Sequence, residues 1–355
     1  MRSFLVQQQP LEVVFAAGSL AKLPETMATC AVARAVLVPT PSVRLAVGRI
    51  MGLLPERVAG SFEGVAPHVP ASAVKALQSF ALSRDADCLI AIGGGAAIDL
   101  AKAASSGTGL TVIAMPTTYG GSELTAHAGQ VSDHKKQSIH SGAPRAVLYD
   151  PELTYGLPRR ATAGSAMNAL AHCVEALYAP HPQPLALLAA EEALRRIPPA
   201  LRIVDHAPHD AEGRAELLFG AYLAGVALAG TGMALHHRIC HVLGGRYGIA
   251  HGDANAIMLA HVVRFNEPFA QDEIATVARA LGTDDAAKAL GALAREAGAP
   301  ASLGELGLDL AERETIADLV LSQPLNNPRP VGREALLRLL DGAWSRQLAP
   351  RQISA

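Results

Sequence analysis

Aromatic residues make up only 4% of this 355-residue chain, and tryptophan occurs once. So few large flat side chains, beside abundant Ala, Gly and Leu, speak against a β-sandwich and for close-packed helices with parallel strands. Cysteine is sparse as well. Cys30, Cys88, Cys173 and Cys240 are scattered without a C-x-x-C pair, which excludes a disulfide framework and a zinc ribbon. An excess of one charge is also missing: 17% of residues are charged and the formal net charge is −2. That balance excludes a disordered chain and a nucleic-acid binder that works by bulk positive charge. The most apolar long segment, 221–235, is too short and too rich in small residues to span a bilayer. Met1–Pro10 carries Gln7, Gln8 and Gln9 where a secretory leader needs an apolar stretch. The expectation is a soluble, cytoplasmic protein with no nucleic-acid or membrane partner.

Half of the residues are apolar, and a chain of this length buries roughly three quarters of its unfolded surface. The length prior allows about two domains. In the first half, short runs that are apolar throughout (35–38, 88–92, 110–114 and 146–149) read as buried parallel strands, while 71–84 has helical spacing. A βαβ arrangement follows. Thr125 to His140 is polar, turns about Ser132-Asp133-His134-Lys135, and reads as a protruding hairpin. After Pro158 the segments 163–178, 183–197, 211–229, 235–247, 272–281 and 284–297 are helical in period, and no strand is evident. Two domains result: an α/β domain over 1–158 with a Rossmann-like parallel sheet, and an all-α domain over 159–355.

Chemistry is concentrated in two places. Ile92-Gly93-Gly94-Gly95-Ala96-Ala97-Ile98-Asp99 carries a buried strand through three glycines into a helix, so backbone amides and the positive helix end meet where a pyrophosphate could approach. It is not the usual dinucleotide fingerprint: Ile98 replaces the third glycine, and no acidic residue lies between Asp99 and Glu123 to hold a ribose. A lone glycine triplet is more often a tight strand–helix turn. Here Pro116-Thr117-Thr118-Tyr119-Gly120-Gly121-Ser122-Glu123 follows the next strand, at the same carboxyl edge where open α/β sheets bind ligands. In the helical half, Asn168 and His172 are four apart on one face, His237 and His241 repeat that spacing, and His251 follows ten residues on. Single helical histidines are mostly structural, which is the reading for His68, His181, His206 and His209. Paired ones on several helices more often converge on a ligand, a metal or a substrate.

Taken together, the glycine triplet with Asp99 and Lys102, the Pro-Thr-Thr loop ending at Ser122-Glu123, and the His241…His251 pair resemble the iron-containing (group III) alcohol dehydrogenase superfamily. Three stretches are similar to its maleylacetate reductase branch: Met167–His172, Leu235–Gly245 and Asn327-Pro328-Arg329-Pro330. The resemblance begins at Val13-Val14-Phe15 and runs over nearly the whole chain. It implies the dehydroquinate synthase-like fold. Gly93, Gly94 and Gly95, with Ala96 and Asp99 opening the helix, would hold the pyrophosphate of NADH, or of NADPH. Thr117, Thr118 and Thr40 would line the cofactor cleft. Thr40 stands where relatives that prefer NAD carry Asp, so the choice between NADH and NADPH stays open.

The superfamily's metal is held by an Asp and three His, and His172, His241 and His251 match the histidines. Asn168 replaces the Asp and removes the only anion, so these are vestigial ligands, and no divalent metal is expected to be required. The implied reaction is NAD(P)H-dependent reduction of the carbon–carbon double bond of maleylacetate, a dicarboxylate, to 3-oxoadipate in aromatic-compound degradation. His241 and His251 would polarise the ketone and donate a proton, assisted by His172, His237 and Asn168. Arg238 would suit a substrate carboxylate. A homodimer is expected from the family. The alternatives are a metal-dependent alcohol or polyol dehydrogenase and, in another class, a non-redox carbon–oxygen lyase on the related fold.

Overall fold

The computed structural model describes residues 12–132 and 135–351. Met1–Pro10 and the turn residues Asp133 and His134 lie outside the described residues. The chain separates into two compact units. One holds residues 12–157 together with His209–Leu218; the other holds Pro158–Pro208 and 219–351.

The first unit is built on six strands: β1 (Glu12–Phe15), β2 (Ala35–Pro39), β3 (Val58–Ser61), β4 (Cys88–Gly93), β5 (Thr111–Pro116) and, after a hairpin, β8 (Ala146–Tyr149). Their order is β1-β8-β5-β4-β2-β3, and every pairing is parallel. β2, β4 and β8 are buried at every residue, which is why they read as unbroken apolar runs. Leu37, Ile90, Ile92, Ile113, Met115 and Leu148 line one face of the sheet. They pack with Leu23 and Met27 of α1 (Leu23–Thr29) and Ile50 of α2 (Arg44–Leu53). α3 (Ala71–Leu82) packs on α4 (Gly95–Ser105), and α4 on β4 and β5. β1, β3 and α2 were not expected. The two strands are only four residues long and half-buried, too short for a periodic signal.

The expected hairpin is present as β6 (His127–Ser132) and β7 (Lys135–His140), paired antiparallel with His127 opposite His140. It is tied down at its base: the Asp99 carboxylate of α4 accepts the Gly129 amide at 3.0 Å. Residues 209–218 return to this unit, a segment that a single cut at 158 does not capture. Its Arg214, 1% exposed, donates to the Tyr119 hydroxyl at 3.0 Å.

The second unit is helical: α5 (Arg159–Leu177), α6 (Pro184–His206), α7 (Ala211–Thr231, shared with the first unit), α8 (Leu235–Tyr247), α9 (His251–Asn266), α10 (Gln271–Ala280), α11 (Ala286–Glu296), α12 (Arg313–Leu321) and α13 (Arg333–Ser345). No strand follows β8 among the described residues. α6 continues through Pro198 and Pro199 to His206, beyond the expected stop at Ile197, although proline breaks the ladder locally. α9, unexpected as a helix, is buried along nearly its whole length and so lacks the polar stripe by which amphipathic helices are recognised. α5 packs on α6 and α9. Its crossing with α9 is backbone on backbone: a Cβ on Gly164 would lie 2.8 Å from the Gly252 carbonyl carbon. No single helix among the described residues is long and apolar enough to cross a membrane. α7 and α8 would qualify only as a pair, and the chain bends by 102° between them.

Candidate active site

In the first unit, three strand ends converge. Register places Pro39 opposite Ile92 and Gly93 opposite Pro116. The Thr40 amide donates to the Ile92 carbonyl at 2.9 Å and the Thr117 amide to that of Gly93 at 3.0 Å. Gly93 has φ +153°, and a Cβ there would meet Thr40 Cγ2 at 2.5 Å, so only glycine fits. A Cβ on Gly94 would sit 3.0 Å from Thr118 Cγ2, whereas Gly95 faces open space. Gly94 precedes α4 with no side-chain cap, which leaves the first helical amides for a ligand. Gly94, Gly95 and Ala96 are part-exposed there. A cradle of this kind, closed to a side chain at Gly93 and Gly94 and set at a helix N-terminus, fits a nucleotide pyrophosphate.

Asp99 and Lys102 brace this edge. Asp99 Oδ1 accepts a short hydrogen bond from the Ser122 hydroxyl. Lys102, fully buried, donates to the Ser122 carbonyl at 2.7 Å and the Thr125 hydroxyl at 3.1 Å, with a further short bond to the His127 carbonyl. Burial lowers the Lys102 ammonium pKa, while Asp99 and Glu123 oppose that fall. Asp99 therefore contacts the bracing network rather than the glycines.

In the second unit, Asn168, His172 and Glu175 occupy one face of α5, and His237 and His241 lie on α8. His237 holds the centre. Its ring stacks on His172 with centroids 4.1 Å apart and planes within 5°. Its Nε2 lies 3.1 Å from Asn168 Oδ1 and its Nδ1 2.6 Å from Glu175 Oε2. His241 and His251 pair with each other, centroids 5.9 Å apart, and stand 6.4 and 6.2 Å from His237. Asn168, His172, Glu175 and His237 are each at most 5% exposed, whereas His241 and His251 are half-buried. His251 opens α9 beside the Gly164–Gly252 crossing.

Glu175, His236 and Asn255 were missed by sequence reasoning. The spacing Asn168, His172, Glu175 on one helix face was the available signal for Glu175. Its carboxylate accepts the amides of Ala234 (2.9 Å), His236 (2.8 Å) and His237 (3.4 Å), capping α8 from another helix. Burial pushes its pKa up, and the surrounding imidazoles and amides draw it back. Backbone N–H groups reach both of its oxygens. His236 Nε2 donates to Asn255 Oδ1 at 2.8 Å, and the Asn255 amide donates to the His251 carbonyl at 2.7 Å. Burial, then the neighbouring His237, holds the His236 imidazole down to about 4.

One expected role moves. The Arg238 guanidinium meets Gln323 Oε1 at 2.7 Å and the Leu319 and Val320 carbonyls at 3.4 Å, so it caps the C-terminus of α12. It is therefore not the carboxylate clamp that its place beside His237 suggests. Asn327 exchanges amide hydrogen bonds with Asn266 at 3.0 and 2.8 Å, and Arg329 donates to the Phe265 carbonyl at 2.9 Å. The Asn327–Pro330 stretch thus fastens the end of α9.

His172 and His237 are not disposed to share one metal ion. An ion lies in the plane of each imidazole that binds it, at about 2.0–2.1 Å from nitrogen. Two rings stacked in nearly parallel planes, as His172 and His237 are, cannot both meet that condition. Among the described residues no group of three His, Cys, Asp or Glu side chains is arranged to hold a metal.

The chain matches the iron-containing alcohol dehydrogenase family over residues 10–151 and the C-terminal domain of the same family over residues 162–344. It belongs to that family of α/β-plus-helical proteins. Within it, the chain is 38% identical to the maleylacetate reductase of Burkholderia cepacia over 346 residues, 97% of this chain and 98% of that one. It is 38% identical over 353 residues to maleylacetate reductase 2 of Cupriavidus pinatubonensis, covering 98% of each. The solved structure of the maleylacetate reductase from Agrobacterium tumefaciens is similar with a TM-score of 0.92 and 35% identity, over 98% of this chain and 100% of that one.

Proposed function

We propose that this chain is a maleylacetate reductase: it reduces the carbon–carbon double bond of maleylacetate, using NADH or NADPH, and releases 3-oxoadipate. The observation that carries the reading is the cluster itself. Its imidazoles and the neutral Asn168 amide offer hydrogen-bond donors without converging on a metal. Similarity to maleylacetate reductases over nearly the full length supports the same substrate.

Gly93, Gly94, Gly95 and Ala96 would hold the cofactor's pyrophosphate, with Thr40, Thr117 and Thr118 beside them. The bound nicotinamide supplies the hydride. Hydride adds to the alkene carbon remote from the ketone, and negative charge appears on the ketone oxygen. His241 and His251, the two half-buried imidazoles, stabilise that oxygen and deliver the proton to the carbon next to the ketone. His237, His172 and Asn168 form the buried floor that fixes them. The substrate's carboxylates are met by imidazoles, since Arg238 is committed to α12.

The reaction proceeds without a divalent metal in this reading, and a metal-dependent alcohol dehydrogenase would need ligands that converge. The enzyme is expected to be a cytoplasmic homodimer, which light scattering on the purified chain would check. The deciding experiment follows NADH absorbance with freshly prepared maleylacetate before and after prolonged dialysis against a strong chelator. Turnover should persist. Absence of turnover would end the proposal, and loss restored by added metal would end its metal-independent part.

A further inference from the structure

The proposed chemistry uses the histidines, yet the group that touches the central one most closely is a carboxylate with no assigned part. Glu175 is 1% exposed, and each of its oxygens meets two nitrogens. Three come from the backbone where α8 begins, and the fourth is His237 Nδ1 at 2.6 Å. Three amides in fixed directions leave the carboxylate little freedom to turn. It in turn leaves the imidazole one orientation.

We propose that Glu175 is a positioning residue: it fixes the His237 ring with its proton on Nδ1 and its Nε2 directed at Asn168. Both carboxyl oxygens already accept backbone amides, so an acceptor is what the group presents to the ring, and the nitrogen facing it is the N–H. The opposite nitrogen then meets an amide, which can accept through oxygen or, turned end for end, donate through nitrogen. His172, stacked on the same ring, and His241 and His251 take their places against an imidazole whose plane is already set. A helix cap alone would need only the amide contacts. The added bond to Nδ1 ties the cap to the orientation of the cluster.

This inference rests on the reductase reading for its kinetic consequence, but its structural claim can be tested without substrate. In Glu175→Gln the amide retains one oxygen for the α8 amides and turns an NH₂ toward Nδ1, which forces the ring proton to Nε2. The measurement is the ¹⁵N spectrum of histidine-labelled protein, with His237 assigned by its disappearance in His237→Asn. Wild type should show a protonated Nδ1, and Glu175→Gln a protonated Nε2. The variant gives up the Ala234 contact and should melt somewhat lower, yet it should keep its KM for NADH, while kcat falls about tenfold to a hundredfold or more, as when an orienting carboxylate is lost elsewhere. Glu175→Asp, which restores an acceptor, should recover part of kcat. An unchanged tautomer in Glu175→Gln overturns the proposal. So does a lowered melting temperature with wild-type kcat, which would make Glu175 a helix cap only. If wild type failed to reduce maleylacetate, the proposed function would fall, and the spectrum would still decide the role of Glu175.

Discussion

The imidazole of His172 lies flat on that of His237, centroids 4.1 Å apart and planes within 5°. Rings so arranged share contact area rather than a common ligand, and their nitrogens point along separate planes. His237 meets the Glu175 carboxylate through Nδ1 and Asn168 through Nε2. These side chains form one stacked and hydrogen-bonded cluster in the helical unit.

At the nucleotide cradle, Gly94→Val should push a branched side chain into Thr118, already 3.0 Å from where a Cβ would stand, and cover the amides that receive phosphate. NADH affinity should fall at least tenfold, about 1.4 kcal/mol. Gly48→Ala on α2, where a Cβ meets nothing within 4 Å, should leave fold and affinity intact and serve as the control. Fluorescence titration with NADH checks both, and an unaltered affinity in folded Gly94→Val removes the phosphate site from this loop.

His241→Asn and His251→Asn should each lower kcat by about 10²–10³, the usual loss when a donor to a developing oxyanion is removed. Because both rings are half-buried, melting temperatures should change little. His237→Asn should instead lose stability as well, since it leaves the buried Glu175 carboxylate short of a partner. Steady-state kinetics beside calorimetry separates the cases. Either of the first two variants with near wild-type kcat would forfeit its catalytic role.

The α5–α9 crossing predicts a strong effect from one methyl group. In Gly164→Ala the new Cβ would stand 2.8 Å from the Gly252 backbone, so the helices must separate. Overpacking of this kind costs about 1–3 kcal/mol. It also displaces the first residue of α9, His251, so kcat should fall in whatever protein remains folded. Chemical denaturation and kinetics on the same sample would show both effects, and a variant with wild-type stability would contradict the close crossing.

Acid should weaken the helical unit through His261. Its ring packs beneath Gly342 of α13, where a Cβ would meet Nδ1 at 3.2 Å, and burial holds its imidazole down to about 4 from an ordinary 6.5. The unfolded chain then takes up the proton first. Stability from this group is complete above about pH 6.5, falls as pH drops toward 4, and levels off below. The loss should be on the order of 3 kcal/mol, at about 1.4 kcal/mol per unit. His261→Leu should flatten the decline of melting temperature between pH 6.5 and pH 4. A variant that declines as steeply as wild type would show that His261 does not drive it.

Much of this architecture was legible in order of residues because its signals are local. The unbroken apolar runs of β2, β4, β5 and β8 are what strands covered on both faces must be, and α8 begins and ends where its periodicity does. The glycine triplet and Asn168, His172, His237, His241 and His251 could be named for the same reason: their residue types and spacings are unusual on any strand end or helix. α9 was not legible, since a helix buried on nearly all sides carries no polar face to set its period. Nor was the return of 209–218 to the first unit, which depends on Arg214 meeting Tyr119, 95 residues away in the chain.

What the amino-acid order determined, then, is the set of elements and the chemical kinds gathered at their ends. What only tertiary structure decided is which of those groups touch. Spacing within α8 makes His237 and His241 equivalent, and nothing local to the helix ranks one above the other. Packing of α5 against α8 breaks the tie: it sets His237 between Asn168 and Glu175 and leaves His241 with His251. Likewise Arg238 is one more cation in sequence until α12 places its carbonyl ends within reach. Hydrogen bonds and ring contacts act over 3 to 6 Å between helices far apart along the chain, and no local pattern encodes a distance of that kind.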